Sequence, residues 1–110
     1  MGEVRRFGQM IKVKPEGKAS YIAHHADPLP GVNEMIKECH LKNYSIYSLG
    51  DYLFTYMEYD GDDFDADMEK MAADPTTQKW WDIVKPLMQP LEDRKEGEFW
   101  SDMTEDYHLD

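Results

Sequence analysis

A phenol and an imidazole stand four residues apart in Ser20-Tyr21-Ile22-Ala23-His24-His25, a spacing that puts Tyr21 and His25 on one helix face and offers both to one pocket. Histidine titrates near neutral pH and can give or take a proton, while tyrosine orients a hydroxylated ligand through its ring face and its hydroxyl. General acid–base catalysis is the chemistry such a pair can carry. The same spacing also serves a partly buried packing contact. His24 points about 100° away from His25 along a helix and is expected to face solvent. A metal site drawn from His24, His25, His40 and His108 would need distant segments to converge without an i,i+4 histidine pair, and none is expected.

Trp80-Trp81 is the second feature. Adjacent helical residues point about 100° apart, so both rings cannot lie at the centre of one apolar stripe. Trp80 aligns with Val84 and Leu87, whereas Trp81 shares an edge with Lys85 and Met88. Trp80 can therefore seal a core while Trp81 looks into a cleft, where its ring would stack on the C–H edges of a sugar. Two packing residues are the alternative.

These residues need elements to hold them. Phe7 to Val13 alternates as a strand, with Phe7, Ile11 and Val13 on one face and Lys12 on the other. Pro15-Glu16-Gly17 starts a helix running to about His25, since proline suits a first turn and Glu16 suits the positive end of the helix dipole. Asp27-Pro28-Leu29-Pro30-Gly31 breaks it. Val32, Met35, Ile36 and Cys39 then form the stripe of a second helix, which places Cys39 in the core. Tyr44–Leu49 and Tyr52–Tyr59 flank Gly50-Asp51 as a hairpin, with Tyr47, Leu49, Leu53 and Met57 expected on the face opposite Tyr44 and Ile46.

Phe64, Met68, Met71 and Ala72 stripe a third helix ending before Asp74-Pro75, and Thr76 or Thr77 is expected to cap a fourth that Pro86 limits. The segment Met103–Leu109 reads as a last strand. Strand, helix pair, two strands, helix pair and strand in that order predict an α+β, ferredoxin-like sandwich, an antiparallel sheet with helices on one face. Aromatics and methionines on both sheet faces point to sheet-to-sheet dimerisation, or a ligand cavity between sheet and helices, or both.

The 110 residues suit one domain, 1–110, with no separate cofactor-binding half. A formal charge of -11 repels phosphate-rich partners, and Arg5-Arg6 is too short to form a basic patch, so no nucleic acid is expected. The acidic run from Asp60 to Asp67 reads as a solvated loop and helix start, because it lacks the closing glutamate and alternation of a calcium loop. The single cysteine excludes an internal disulfide and fits a reducing cytoplasm. Met1-Gly2-Glu3-Val4-Arg5-Arg6 leads into the first strand rather than an apolar leader, and no run is long enough to span a membrane.

Tyr21 with His25, the stretch Asn43-Tyr44-Ser45-Ile46-Tyr47, Trp80-Trp81 after Asp74-Pro75, and the ending Tyr107-His108-Leu109-Asp110 resemble the L-rhamnose mutarotases in order and spacing, from about Arg5 to the end. The resemblance implies a cofactor-free isomerase of a monosaccharide's anomeric carbon, cytoplasmic and homodimeric, of the dimeric α+β barrel type. It implies His25 as proton donor, and Tyr21, Tyr44, Trp80 and Trp81 as sugar contacts. Where many relatives carry Trp-Pro-Glu after the histidine, this chain has Leu29-Pro30-Gly31, without a bulky ring and a carboxylate, which bears on the preferred sugar.

Anomer exchange needs a proton taken off the anomeric hydroxyl and one placed on the ring oxygen, so general acid–base catalysis suffices. His25 is the expected acid toward the ring oxygen; Tyr21, Tyr44, a water or His108 could serve as its complement. Two other classes fit the same residues. One is a cofactor-free monooxygenase on the same scaffold, acting on a flat aromatic substrate. The other is a non-catalytic sugar-binding module with an adaptable apolar surface.

Overall fold

The computed structural model describes residues 4–110, so the expected lead-in across Met1, Gly2 and Glu3 lies outside the described residues. The elements are β1 (Arg5–Val13), a 3₁₀ turn (Pro15–Gly17), α1 (Lys18–Ala26), α2 (Val32–Glu38), β2 (Leu41–Leu49), β3 (Tyr52–Tyr59), α3 (Phe64–Ala73), α4 (Pro75–Val84), a 3₁₀ turn (Lys85–Leu87), β4 (Met88–Gln89) and β5 (Ser101–Met103). The sheet is antiparallel in the order β2-β3-β1-β4, with β5 sharing the β4 side of β1. That is the ferredoxin-like arrangement expected from the element order.

Alternation along β1 and β3 decides which face the helices cover. Ile11 pairs with Leu53 and Phe7 with Met57, so these side chains share one face. Ile11, Val13 and Leu53 from the sheet meet Tyr21, Val32, Trp80 and Val84 from the helices in the main core. A second cluster joins Leu41, Met57 and Tyr59 to Phe7, Phe64, Met68 and Met71. Cys39 is fully buried, as its stripe predicts.

The hairpin corrects one expectation. Its two-residue turn pairs Leu49 with Tyr52, so odd-numbered residues of β2 lie beside even-numbered residues of β3. Leu53 and Met57 therefore fall on the helix-covered face with Ile46, while Tyr47 and Leu49 join Phe54 on the open face. Tyr47 and Leu49 are 66 % and 74 % exposed there.

Helix ends bring a second correction. Asp74, not Thr76 or Thr77, caps α4: its Oδ2 accepts from the Thr77 backbone N–H and from Thr77 Oγ1, each at 2.9 Å. Pro75 takes the first helical position, where its missing N–H costs nothing, and so fixes the cap one residue earlier. The acidic run supplies the other cap, Asp63 Oδ1 accepting from the Ala66 N–H at 3.1 Å. Between α1 and α2, Gly31 holds φ 97°, a backbone conformation that favours glycine.

The last strand is also shorter and earlier than expected. Ser101–Met103 pairs with Met10–Gly8, and Thr104–Asp110 forms no regular element. Acidic residues are poor strand formers. Glu105 is held instead by its side chain, which accepts from the Arg6 guanidinium at 2.8 and 3.2 Å.

Candidate active site

Between the covered face of the sheet and the helices lies a cavity of about 230 Å³. Tyr21 and His25 of α1, Tyr44 of β2, and Trp80 and Trp81 of α4 all line it, so the fold gathers every site residue that the sequence singles out.

His25 is held on three sides. Its Nδ1 lies 2.8 Å from the Tyr21 carbonyl oxygen. A carbonyl can only accept, so Nδ1 carries the proton and Nε2 keeps its lone pair in the neutral ring. The Tyr21 ring stacks at 4.1 Å, tilted by 32°, and Trp80 meets the imidazole edge-on at 4.9 Å. Burial lowers the His25 pKa from the usual 6.5; the Tyr21 carbonyl opposes the shift and nearby His24 adds to it. Nε2 has no hydrogen-bond partner among the described residues.

His24 departs from expectation in being half-buried rather than solvent-facing. Its Nδ1 lies 2.8 Å from the Ser20 carbonyl oxygen and its ring reaches toward Trp80 at 6.5 Å. It lines no part of the cavity. The last turn of a short helix tucks it back along its own backbone, which periodicity alone does not reveal. His108 is likewise outside the cavity lining, with Nε2 2.7 Å from Asp110 Oδ1.

Tyr44 reaches the cavity through a β-bulge. Lys42 faces Glu58 and Ser45 faces Tyr56, so three steps along β2 match two along β3. Asn43 absorbs the extra residue with φ 49°, a conformation asparagine tolerates better than most. The bulge lets Leu41 and Tyr44, three residues apart, lie on the covered face together with Ile46. Although 40 % of the residue is exposed, its phenol oxygen points inward, and burial raises its pKa against the opposing effect of Thr55. Burial also raises the Tyr21 pKa, with Tyr44 adding to it. Both phenols stay protonated near neutral pH.

The two tryptophans divide as their spacing suggests. Trp80 is buried in the main core and also lines the cavity, while Trp81 is half-buried. Lys85 Nζ lies 4.4 Å from the Trp81 ring centre and 5.2 Å from that of Phe99, a cation held between two π faces. Phe99 and Trp100 complete this wall. Sequence reasoning passed over both, because they lie in an irregular connection; the one available signal was the aromatic pair just before a strand.

Alongside this cavity is an outer cleft of about 710 Å³, which shares His25, Leu41, Tyr44, Ile46 and Trp80 with it as lining. Among the described residues, no three histidine, cysteine or acidic side chains gather as metal ligands, and no helix is long and apolar enough to cross a membrane.

An apolar, aromatic cavity with one partly buried imidazole and two protonated phenols suits a small neutral polyol: rings for its C–H faces, phenols for its hydroxyls, and one titratable nitrogen.

Comparison with known proteins agrees with this chemistry. Residues 6–109 match the family described as L-rhamnose mutarotase. The L-rhamnose mutarotase of Oceanobacillus iheyensis is 29% identical over 109 residues, covering 97% of this chain and 100% of that one. Among solved structures, L-rhamnose mutarotase FA22100 from Formosa agariphila superposes with a TM-score of 0.75 at 21% identity, covering 96% and 99% of the two chains. The tetracenomycin F2 cyclase of Streptomyces glaucescens shares the fold, with a TM-score of 0.63, 16% identity and coverage of 96% and 99%.

Proposed function

The chain belongs to the L-rhamnose mutarotase family, and from that membership we propose that it interconverts the α and β pyranose anomers of L-rhamnose through acid–base chemistry at His25. The observation that carries the assignment of His25 is its hydrogen-bond pattern. With Nδ1 donating to the Tyr21 carbonyl, Nε2 is the nitrogen left to exchange protons at the cavity.

In the proposed cycle Nε2 takes the proton of the anomeric hydroxyl as the bond from C1 to the ring oxygen breaks and the aldehyde forms. The imidazolium then returns that proton to the ring oxygen, which makes His25 the donor in the second half of the step. Rotation about C1–C2 presents the other aldehyde face, and the reverse transfers close the ring. Both oxygens are bonded to C1 in the closed ring, so one nitrogen placed beside C1 can serve them in turn. Tyr21 and Tyr44 hydrogen-bond the sugar hydroxyls, and Trp80 and Trp81 wall its C–H edges. The cycle uses no metal or organic cofactor.

Saturation transfer between the two anomeric proton signals of L-rhamnose tests the reaction. Addition of the protein is expected to speed exchange, and no acceleration would sink the proposal. The pH dependence tests His25. Its lowered pKa makes the neutral base the resting form, so kcat/KM is expected to be level near neutrality and to fall toward acid with a midpoint below 6.5. A rate that declines as pH rises through neutrality would instead make the imidazolium the working form.

We further infer a cytoplasmic homodimer. The lone, buried Cys39 suits a reducing compartment, and the open face presents Tyr47, Leu49, Tyr52 and Met103 as exposed apolar surface. Light scattering is expected to return twice the chain mass for the native protein. Tyr47→Lys combined with Leu49→Lys is expected to halve it by placing charges against charges across the two-fold axis. A mass unchanged by the pair would move the interface elsewhere.

A further inference from the structure

The outer cleft is about three times the volume of the cavity that holds the chemistry, and its wall is built differently. Val32 and Ile36 of α2 form an apolar floor one turn apart. Asn33 and Lys37, also one turn apart, form a polar rim on the next row of the same helix. The facing wall, from β2, carries Lys42 and Asn43, and both are already engaged: Lys42 Nζ lies 3.3 Å from Asp60 Oδ2, and Asn43 Nδ2 donates to Glu58 Oε1 at 2.9 Å. Asn33 and Lys37 have no side-chain partner among the described residues. An apolar floor beneath unpaired hydrogen-bonding groups matches a second pyranose, whose C–H face is apolar and whose rim is hydroxylated.

The chemistry permits such an occupant. Anomer exchange requires only that C1 and its ring oxygen be free, so a substituent on a hydroxyl remote from C1 leaves the reacting atoms unchanged. The cavity and the cleft share His25, Tyr44 and Trp80 as lining, so a substituent on a sugar held at His25 has the cleft as its neighbouring space. The cleft lies on the helix-covered side of the sheet, away from the open face. We propose that it is a subsite for a second sugar ring, so that the protein also equilibrates the anomers of reducing disaccharides whose reducing unit is L-rhamnose. The proposal rests on the mutarotase reading above.

Exchange rates measured by saturation transfer on free L-rhamnose and on glucosyl-L-rhamnoses linked through O3 or O4 test it. At least one disaccharide is expected to show a kcat/KM within about tenfold of free L-rhamnose. Asn33→Ala with Lys37→Ala is expected to lower that disaccharide's kcat/KM by about fivefold or more, since each removes a hydrogen bond, and to leave the monosaccharide rate unchanged. Both positions are exposed on α2, so the fold should tolerate the change. Acceleration of free L-rhamnose with every disaccharide beyond that tenfold limit would overturn the subsite alone. So would a double variant that affects both substrates equally or neither. No acceleration of free L-rhamnose would bring down the mutarotase reading and the subsite with it.

Discussion

Replacing His25 by alanine is expected to slow anomer exchange by a factor of about 10²–10⁴, the usual worth of one positioned acid–base group. The loss should appear in kcat, because the aromatic walls that would bind the sugar remain. The fold should survive, since the side chain is only partly buried and alanine is the best helix former for that position in α1. A circular dichroism spectrum and melting curve close to those of the native chain would separate lost chemistry from lost structure. Because the exchange also runs unaided in water, the variant sets a floor at the spontaneous rate rather than at zero. If His25→Ala kept full activity, the proton-transfer role would pass to another group while the family assignment stood.

Trp80→Ala is expected to carry the largest cost in stability, about 3–5 kcal/mol, from the lost burial of an indole and the space left behind. Against a total of about 5–15 kcal/mol for a domain of this size, that is a large share. Trp80 is 8 % exposed and joins α4 to Tyr21 of α1 and Val32 of α2, whereas its neighbour Trp81 is half-buried. Urea denaturation should therefore show a much lower midpoint for Trp80→Ala than for Trp81→Ala, while sugar titrations should show that Trp81→Ala weakens binding. Equal midpoints would contradict this division of the pair.

Periodicity was enough to read β1, the hairpin and the four helices as elements, and it marked inward positions such as Val32 and Cys39 of the second stripe and Trp80 and Val84 of the fourth. Tyr21, His25, Tyr44, Trp80 and Trp81 were legible as a set only through their order and spacing along the whole chain. No local pattern says that α1, β2 and α4 converge. What escaped was decided by relations between elements or by single backbone positions. The hairpin face of Tyr47 depends on how a two-residue turn matches odd to even positions, and the cap of α4 depends on proline claiming the first helical position. Phe99 and Trp100 lie where no period operates, so long-range packing alone brings them to the cavity. The terminal strand was misplaced because an alternating pattern does not show where a carboxylate will leave the ladder for an arginine.

The extra residue at Asn43 has a consequence for how this pocket can change by descent. The position of the Tyr44 ring is a matter of counting: losing Asn43 would set Tyr44 opposite Met57 and keep it on the covered face, whereas losing Ser45 would set it opposite Tyr56 and bring it out on the other side of the sheet. Loss of the Ser45 codon would therefore move an aromatic ring out of the cavity and onto the open face while leaving every remaining side chain's identity intact. Divergence of this site can thus proceed by insertion and deletion as well as by substitution. A column-by-column comparison of residue types would not register such a step.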